Sequence, residues 1–347
     1  MTADRKVAVG ILGYNSAAYL TYLFDSLDDQ DFQKNVFYYY IDNNSTDHSI
    51  NLARKHKLDI EIITNEKNDG YAGAYEVFMR ERFGEGYDAV VLLNPDVIVD
   101  KSWIKELVLY AYSDDSFALI QPKILQLKDG YLKSEQLSSC GGFLHYLGFG
   151  ILNRDVESSK KISFASGSCL LIKSEFYKKC GGLDQDFFMY LEDVDISWRA
   201  QICGYACGVA EQSIIWHHYV FDRFDDKKRK KFYYLERNRL VCMCKNYSYR
   251  TLFLLFPAIF IIECGVFVHA IIKGYFMQKC CANIDFVKNI AFIREKHCIV
   301  QSLRVVSDGE IFNQMIARVR FDELDGIPLK MANIFFVVYY KIVKFFL

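Results

Sequence analysis

A chain of 347 residues that is 52% hydrophobic and 24% charged can bury a full-sized core, which excludes a disordered protein and leaves room for one large domain with an appendage. Its formal net charge of -1 gives no global electrostatic reason to expect nucleic acid as a partner, so any binding charge has to be local. Eleven cysteines without a paired CxxC predict reduced thiols in a cytosolic compartment, with neither a disulfide frame nor a zinc site.

Met1-Thr2-Ala3-Asp4-Arg5-Lys6 runs straight into an apolar segment, which predicts no signal peptide. Residues 7–12, 36–41, 60–63 and 89–93 are short, apolar and rich in β-branched or aromatic side chains, the pattern of buried parallel strands. Amphipathic stretches near 17–27, 46–57 and 72–83 lie between them and are long enough for crossover helices. The alternation predicts an open α/β sheet, in which ligands bind beyond the carboxyl ends of the strands.

The residues at those ends are uniformly polar: Gly13-Tyr14-Asn15-Ser16, then Asp42-Asn43-Asn44-Ser45-Thr46-Asp47, then Asn65 to Asn68 with Gly70-Tyr71-Ala72-Gly73, then Asn94-Pro95-Asp96. Ser45 or Thr46 is expected to cap the helix that follows, with Asp47 in its first turn, in a geometry that still presents Asp42 to a base or ribose. A dinucleotide oxidoreductase is excluded, because Gly13-Tyr14-Asn15-Ser16-Ala17-Ala18 puts side chains where GxGxxG needs glycines; GxxxxGK[ST] is also absent. Further along, three carboxylates, Glu192, Asp193 and Asp195, follow the mostly apolar run Phe187-Phe188-Met189-Tyr190-Leu191. A first helical turn whose acids complement the helix dipole is the structural explanation; a catalytic cluster is the functional one.

The ordered series formed by these strand ends with Gly167-Ser168-Cys169, Gly181-Gly182-Leu183-Asp184, Glu192-Asp193-Val194-Asp195 and Trp216-His217 resembles glycosyltransferase family 2, most closely its bacterial rhamnosyltransferase and galactofuranosyltransferase branch, over residues 6–240. The resemblance implies a GT-A fold, a mixed sheet flanked by helices, and inverting transfer of a sugar from a nucleoside diphosphate donor such as dTDP-rhamnose or a UDP-sugar to a hydroxyl of a glycan acceptor. It implies a divalent cation, Mg²⁺ or Mn²⁺, with Asp96 as carboxylate ligand and His217, in preference to His218, holding metal or diphosphate. Asn94 departs from the family pattern, where many relatives carry Asp, which predicts low metal affinity without donor. Asp193 matches the catalytic base; Glu192 orients the acceptor or braces Asp193, and Asp195 caps the helix or pairs with Arg199, its i+4 neighbour. Donor binding falls by resemblance on Tyr14, Asn15, Asp42, Asn43, Asn68, Gly70, Gly73, Asn94 and Asp96, and the acceptor side on Gly167, Ser168 and Asp184.

Beyond residue 225 the chain changes character. A basic run at 227–231 precedes residues 251–272, which are apolar apart from Pro257, Glu263 and His269, and an aromatic-rich tail at 334–347 follows. Helices lying at a membrane interface are expected, with a buried helical subdomain or a homodimer interface as the other reading. The division expected is a GT-A domain at 1–240 and a helical region at 241–347, in an enzyme peripheral to the inner face of the cell membrane that acts on a glycan or lipid-linked glycan. A processive synthase is excluded by the lack of several spans and of QxxRW. The alternative to an enzyme is a catalytically silent GT-A scaffold that binds glycan or a partner protein at the membrane.

Overall fold

The computed structural model describes residues 4–32, 34–155, 162–218, 225–319 and 327–347. The chain divides into two units: Met1–Gly142, Leu152–Ala200 and Tyr205–Val220 form the first, and Phe143–Ile151, Gln201–Gly204 and Phe221–Leu347 the second. Residue 240, the expected boundary, lies inside a helix that packs along two later helices, so that whole helix belongs to the second unit.

In the first unit the expected alternation is present: β1 (Val7–Gly13), α1 (Ala17–Asp28), β2 (Val36–Asp42), α2 (Ser49–Lys55), β3 (Ile60–Thr64), α3 (Gly70–Gly84) and β4 (Ala89–Leu93). Further along the chain come β5 (Val97–Val99), α4 (Trp103–Ala111), β6 (Phe117–Lys128), β7 (Leu132–Ser139), β8 (Gly142–Leu144), β9 (Gly150–Leu152), β10 (Cys169–Lys173), α5 (Ser174–Cys180), α6 (Glu192–Ile202) and β11 (Ala206–His217), of which most of β8 and β9 and the last two residues of α6 fall in the second unit. The main sheet has the order β3-β2-β1-β4-β10-β6-β11-β5, with β7 on β6. β1 pairs in parallel with β2 and β4, whereas β10 is antiparallel to both β4 and β6.

Side-chain alternation separates the two faces of β1. Val7, Val9 and Ile11 face the cluster built with Leu20, Phe24, Trp103 and Leu107 from α1 and α4. On the opposite face Gly10 lets α3 approach so closely that a β-carbon there would stand 2.5 Å from the Phe78 ring. Chain order reverses between β1 and β4, which makes that junction the crevice of an open sheet. Their pairing ends at Ile11–Leu93, where the Tyr75 hydroxyl accepts from the Leu12 and Leu93 amides at 3.1 Å each and reaches Leu93 O at 2.9 Å. A buried phenol thus satisfies the backbone where the strands splay.

The second unit holds α7 (Asp225–Asn246), α8 (Tyr249–Lys273), α9 (Phe276–Lys288), α10 (Ile290–Ser302), α11 (Asp308–Phe312) and α12 (Ile327–Phe346). Ser248 caps α8 by accepting from Thr251 N, and Gly274, in the left-handed conformation, ends it. Glu263, the acid in the apolar segment, is paired. Lys279 donates to Glu263 at 2.7 Å and to Glu236 at 2.6 Å, and Arg239 meets Glu236 at 3.1 Å and also contacts Glu263. Two cations and two anions, with Arg239 and Lys279 fully buried, neutralise each other between α7, α8 and α9.

Two stability outcomes follow. Tyr75→Phe leaves two backbone amides at the β1–β4 junction without their acceptor and is expected to lower stability by about 1–3 kcal/mol in chemical denaturation. Lys279→Met leaves the two carboxylates sharing one cation and is expected to cost about 3–5 kcal/mol, against near-wild-type stability for a substitution at exposed Lys288.

Candidate active site

The strand register gathers the predicted residues along one edge. Gly13 pairs with Asp42 and Asp42 with Thr64, so the loops after β1, β2 and β3 emerge side by side. Because β10 is antiparallel, its start rather than its end reaches this edge: Cys169 pairs with Leu93, and Asn94 N donates to Ser168 O at 3.0 Å. Gly167 and Ser168, expected on an acceptor side, therefore sit beside the loop after β4.

The donor-side loops are tied to one another. Asn15, at φ 52°, donates its N–H to the Ser45 hydroxyl at 2.9 Å and accepts from Thr46 N at 2.8 Å. Asp47 accepts from Ala17 N at 3.1 Å and Ser49 N at 3.0 Å. The expected capping by Ser45 or Thr46 does not form, because both are used across the loop to Asn15, and α2 starts later, at Ser49, with Asp47 taking its first amide. Tyr14 projects with 52% of its surface exposed. Asp42 is buried; Oδ2 accepts from Ser45 N at 2.9 Å, while Oδ1 has no hydrogen-bond partner. The Asn43 amide is committed to the loop after β3: it donates to Asn68 at 2.9 Å and to Gly70 O at 3.2 Å, and accepts from Asn65 at 3.0 Å and Asp69 N at 3.1 Å.

Gly70 opens α3 at φ +71°, and a β-carbon there would stand 2.4 Å from Phe188 O. Gly73 lies one turn on, with Asp69 nearby. Phe188 itself has φ 61° and ψ -62°, the rare γ-turn conformation, closed by Met189 N donating to Phe187 O at 2.7 Å. Its carbonyl accepts from Ala72 N at 3.1 Å. Tyr190 and Leu191 are also left-handed, at φ 68° and 66°. Three strained residues within four positions mark a segment held by its surroundings, and they lead directly into Glu192.

At the start of α6 both oxygens of Asp193 are pinned by backbone amides, Oδ2 by Gly167 at 2.9 Å and Oδ1 by Val194 at 2.8 Å. The Tyr71 hydroxyl donates to Gly167 O at 2.5 Å, holding the same glycine from the other side. Burial raises the Asp193 pKa, the two amides opposing it. Glu192 lies well above the usual carboxylate range because of burial and then the neighbouring Asp193 charge, and its Oε2 has no hydrogen-bond partner. Asp195 takes the expected structural place, accepting from Arg199 Nε at 3.0 Å; the same guanidinium donates to Cys180 O and Gly182 O. Asp184 accepts from Asp186 N at 3.2 Å, capping the short 3-10 turn Gln185–Phe187 that leads into the γ-turn.

Across the edge, antiparallel pairing of β11 with β5 places His217 opposite Val97. Its Nε2 lies 3.2 Å from Asp96 Oδ1, a buried oxygen that accepts no hydrogen bond. His218 points elsewhere, 3.4 Å from Asp129, with its amide donating to Asp96 O. Among the described residues no group of three His, Cys, Asp or Glu side chains converges as a complete metal cage. A carboxylate oxygen that accepts no hydrogen bond and faces an imidazole fits a cation that completes its shell from substrate phosphates and water.

This architecture recurs among solved structures. GalNAc-T7 crystallised with UDP, GalNAc and Mn²⁺ matches with a TM-score of 0.54 at 16% identity, over 63% of this chain and 44% of that one. The fold is that of a GT-A glycosyltransferase. The profile of the family described as Glycosyl transferase family 2 matches residues 9–181, so the chain belongs, through this domain, to glycosyl transferase family 2. The low-salt glycan biosynthesis hexosyltransferase Agl10 of Haloferax volcanii is 29% identical over 145 residues, 41% of this chain and 47% of that protein. The N-acetylglucosaminyl-diphospho-decaprenol L-rhamnosyltransferase of Mycobacterium tuberculosis is 28% identical over 199 residues, 51% of this chain and 64% of that protein. The chain thus spans less than two thirds of the length of these relatives.

The raised Glu192 pKa has a definite sign for stability. The folded state binds this proton more tightly than the unfolded chain, so ionisation of Glu192 costs stability increasingly as pH rises above its unfolded value. Glu192→Gln is therefore expected to melt a few degrees above wild type at pH 8, with the gap closing towards pH 4 in calorimetry.

Proposed function

We propose that this glycosyltransferase works with inversion, moving a sugar from a nucleoside diphosphate donor to a hydroxyl of a glycan acceptor in the synthesis of a cell-surface polysaccharide. The observation that carries the reading is the carboxylate of Asp193, desolvated and pinned by two amides, on the sheet edge that also carries the Asp96–His217 pair. dTDP-rhamnose and a UDP-sugar are the donors that agree with the relatives, one of which is named a rhamnosyltransferase.

In this reading the exposed Tyr14 ring and the unpartnered Asp42 Oδ1 meet the base and ribose, with Asn15 shaping the pocket beside them. Asn43 and Asn68 hold the loop whose Gly70 and Gly73 bring backbone close to the nucleotide. Asp96 and His217 would hold Mg²⁺ or Mn²⁺ together with diphosphate oxygens, Asn94 adding an uncharged amide; the bound cation offsets charge on the departing diphosphate. A site that supplies so few protein charges is expected to bind metal weakly without donor.

Asp193 takes the proton of the acceptor hydroxyl as its oxygen forms a bond to the anomeric carbon. The bond from that carbon to the diphosphate breaks on the opposite face, and the nucleoside diphosphate leaves with the electron pair. A raised pKa suits this role, since a carboxylate at its ordinary value is a poor base at neutral pH. Glu192 lies against Asp193 and favours its own protonated form, a donor for an acceptor oxygen. Gly167, Ser168 and Asp184 border the acceptor side. The acceptor class is a lipid-linked glycan at the inner face of the cytoplasmic membrane, supported by the diphospho-decaprenol in the name of the mycobacterial relative.

A donor panel titrated with and without Mn²⁺ tests the assignment: Asp193→Asn should keep metal-dependent binding of one donor while turnover falls by about 10³ or more. Absence of binding to every donor in the panel would favour the silent scaffold. The acid limb of the kcat profile is expected above the usual aspartate value of about 4, because activity is lost as pH falls through the raised Asp193 pKa. Tyr71 is a positioning residue in this scheme, and Tyr71→Phe should lower kcat roughly tenfold with donor KM unchanged, the signature of a displaced base.

A further inference from the structure

The second unit keeps a large apolar face uncovered. In α8, Phe253, Phe256 and Phe260 are 81%, 64% and 61% exposed, and in α12 Ile334, Val338 and Phe345 are 69%, 53% and 84% exposed. The first set recurs at intervals of three and four residues and the second at four and seven, so each forms a stripe along one side of its helix. The helices lie together and antiparallel: Tyr339 donates to Leu254 O at 2.7 Å and Arg250 to Phe346 O at 2.6 Å. Within the most apolar stretch of α8 only 22% of residues are buried, which is not the environment of a core helix.

Charge and neighbours decide what covers this face. Among the described residues every exposed charge on α8 and α12 is basic: Arg250, Lys273, Lys330, Lys341 and Lys344. A second copy of the chain, docked about a two-fold axis, would set these cations against one another. A layer of anionic headgroups over hydrocarbon complements them, with lysine stems reaching up from the apolar stripe.

A transmembrane crossing by α8 conflicts with its inner side. α7 is tied to α8 and to the residue beyond its end in antiparallel order, Phe232 against Tyr275, ring centroids 5.2 Å apart, and Arg239 against Glu263. Insertion of α8 across a bilayer would drag α7, with exposed Lys227, Lys228 and Lys230, into hydrocarbon.

We propose that the α8–α12 face lies in the plane of one anionic leaflet, apolar stripe inserted and α7 on the water side. This deepens the reading of a membrane-side, lipid-linked acceptor, while its evidence comes from the second unit alone. The face seats the enzyme where a lipid-linked substrate is confined.

The test is co-sedimentation of the full chain with phosphatidylcholine vesicles, with and without phosphatidylglycerol, in the absence of donor and acceptor, so that it fails or holds separately from the catalytic reading. Binding should require phosphatidylglycerol, weaken with salt, and be reversed by alkaline carbonate. The pair Phe256→Asp and Phe345→Asp should lower partitioning more than tenfold, with unchanged melting and unchanged metal-dependent donor hydrolysis. Equal partitioning of wild type and variant, failure to bind either vesicle, retention after carbonate, or a light-scattering dimer that the same substitutions dissociate would each overturn the proposal.

Discussion

Two adjacent carboxylates withdrawn from water are the constraint around which the first unit is arranged. Glu192 and Asp193 both resist ionisation through burial, and the Asp193 charge further raises the cost for Glu192, so the chain has to hold them in place against their preference for solvent. It does so with rigid, uncharged partners: amides of Gly167 and Val194 on Asp193, and a phenol from α3 behind Gly167. The third acid of the cluster, Asp195, is neutralised separately by Arg199, and among the described residues no cation contributes to the pKa shifts of the pair ahead of it. The γ-turn at Phe188 and the left-handed Tyr190 and Leu191 belong to the same arrangement, because they bend the chain so that α6 begins with its acids against β10 and α3.

The half of the sheet that was legible in sequence is the half made of parallel strands. β1, β2 and β4 are largely buried on both faces and so read as unbroken apolar runs, while the edge strand β3 is only partly buried and carries Glu61; the ends of all four carry the turn residues that a ligand edge requires. β6 hid because it mixes polar residues into twelve positions and pairs with β11 through register shifts. Within the site, motif order picked out Asp96, His217 and the acid pair. Tyr71 and Tyr75 carried no such signal: one tyrosine in a helix beginning Gly-Tyr-Ala-Gly looks like any packed aromatic, and their roles depend on where two hydroxyls land. The strain at Phe188 was equally invisible, since nothing about phenylalanine announces a positive φ. Gly70 was visible, though its reason was not; the approach it permits is that of Phe188 O as much as any nucleotide.

In the second unit the sequence raised an apparent contradiction, an acid in the middle of a long apolar helix. The ion network of Glu236, Arg239, Glu263 and Lys279 resolves it by giving α8 two unlike sides. One side is held to α7 and α9 through matched charges, the other is left to hydrocarbon-like contacts. Segregation of this kind cannot be read from composition averaged over the helix, which reports only that the segment is apolar.

Asn43 illustrates how narrowly some positions are specified. Its oxygen faces a backbone amide and its nitrogen faces a backbone carbonyl, groups that cannot exchange roles, so the orientation of the side chain is dictated atom by atom. An aspartate would have the same outline, yet it would set a carboxylate oxygen against Gly70 O and the Asn68 oxygen. Deamidation of this single residue, a change of one atom and one unit of charge, would turn the knot joining the loops after β2 and β3 into a point of repulsion. The chemical lifetime of one amide thus bounds the lifetime of the pocket edge it ties together.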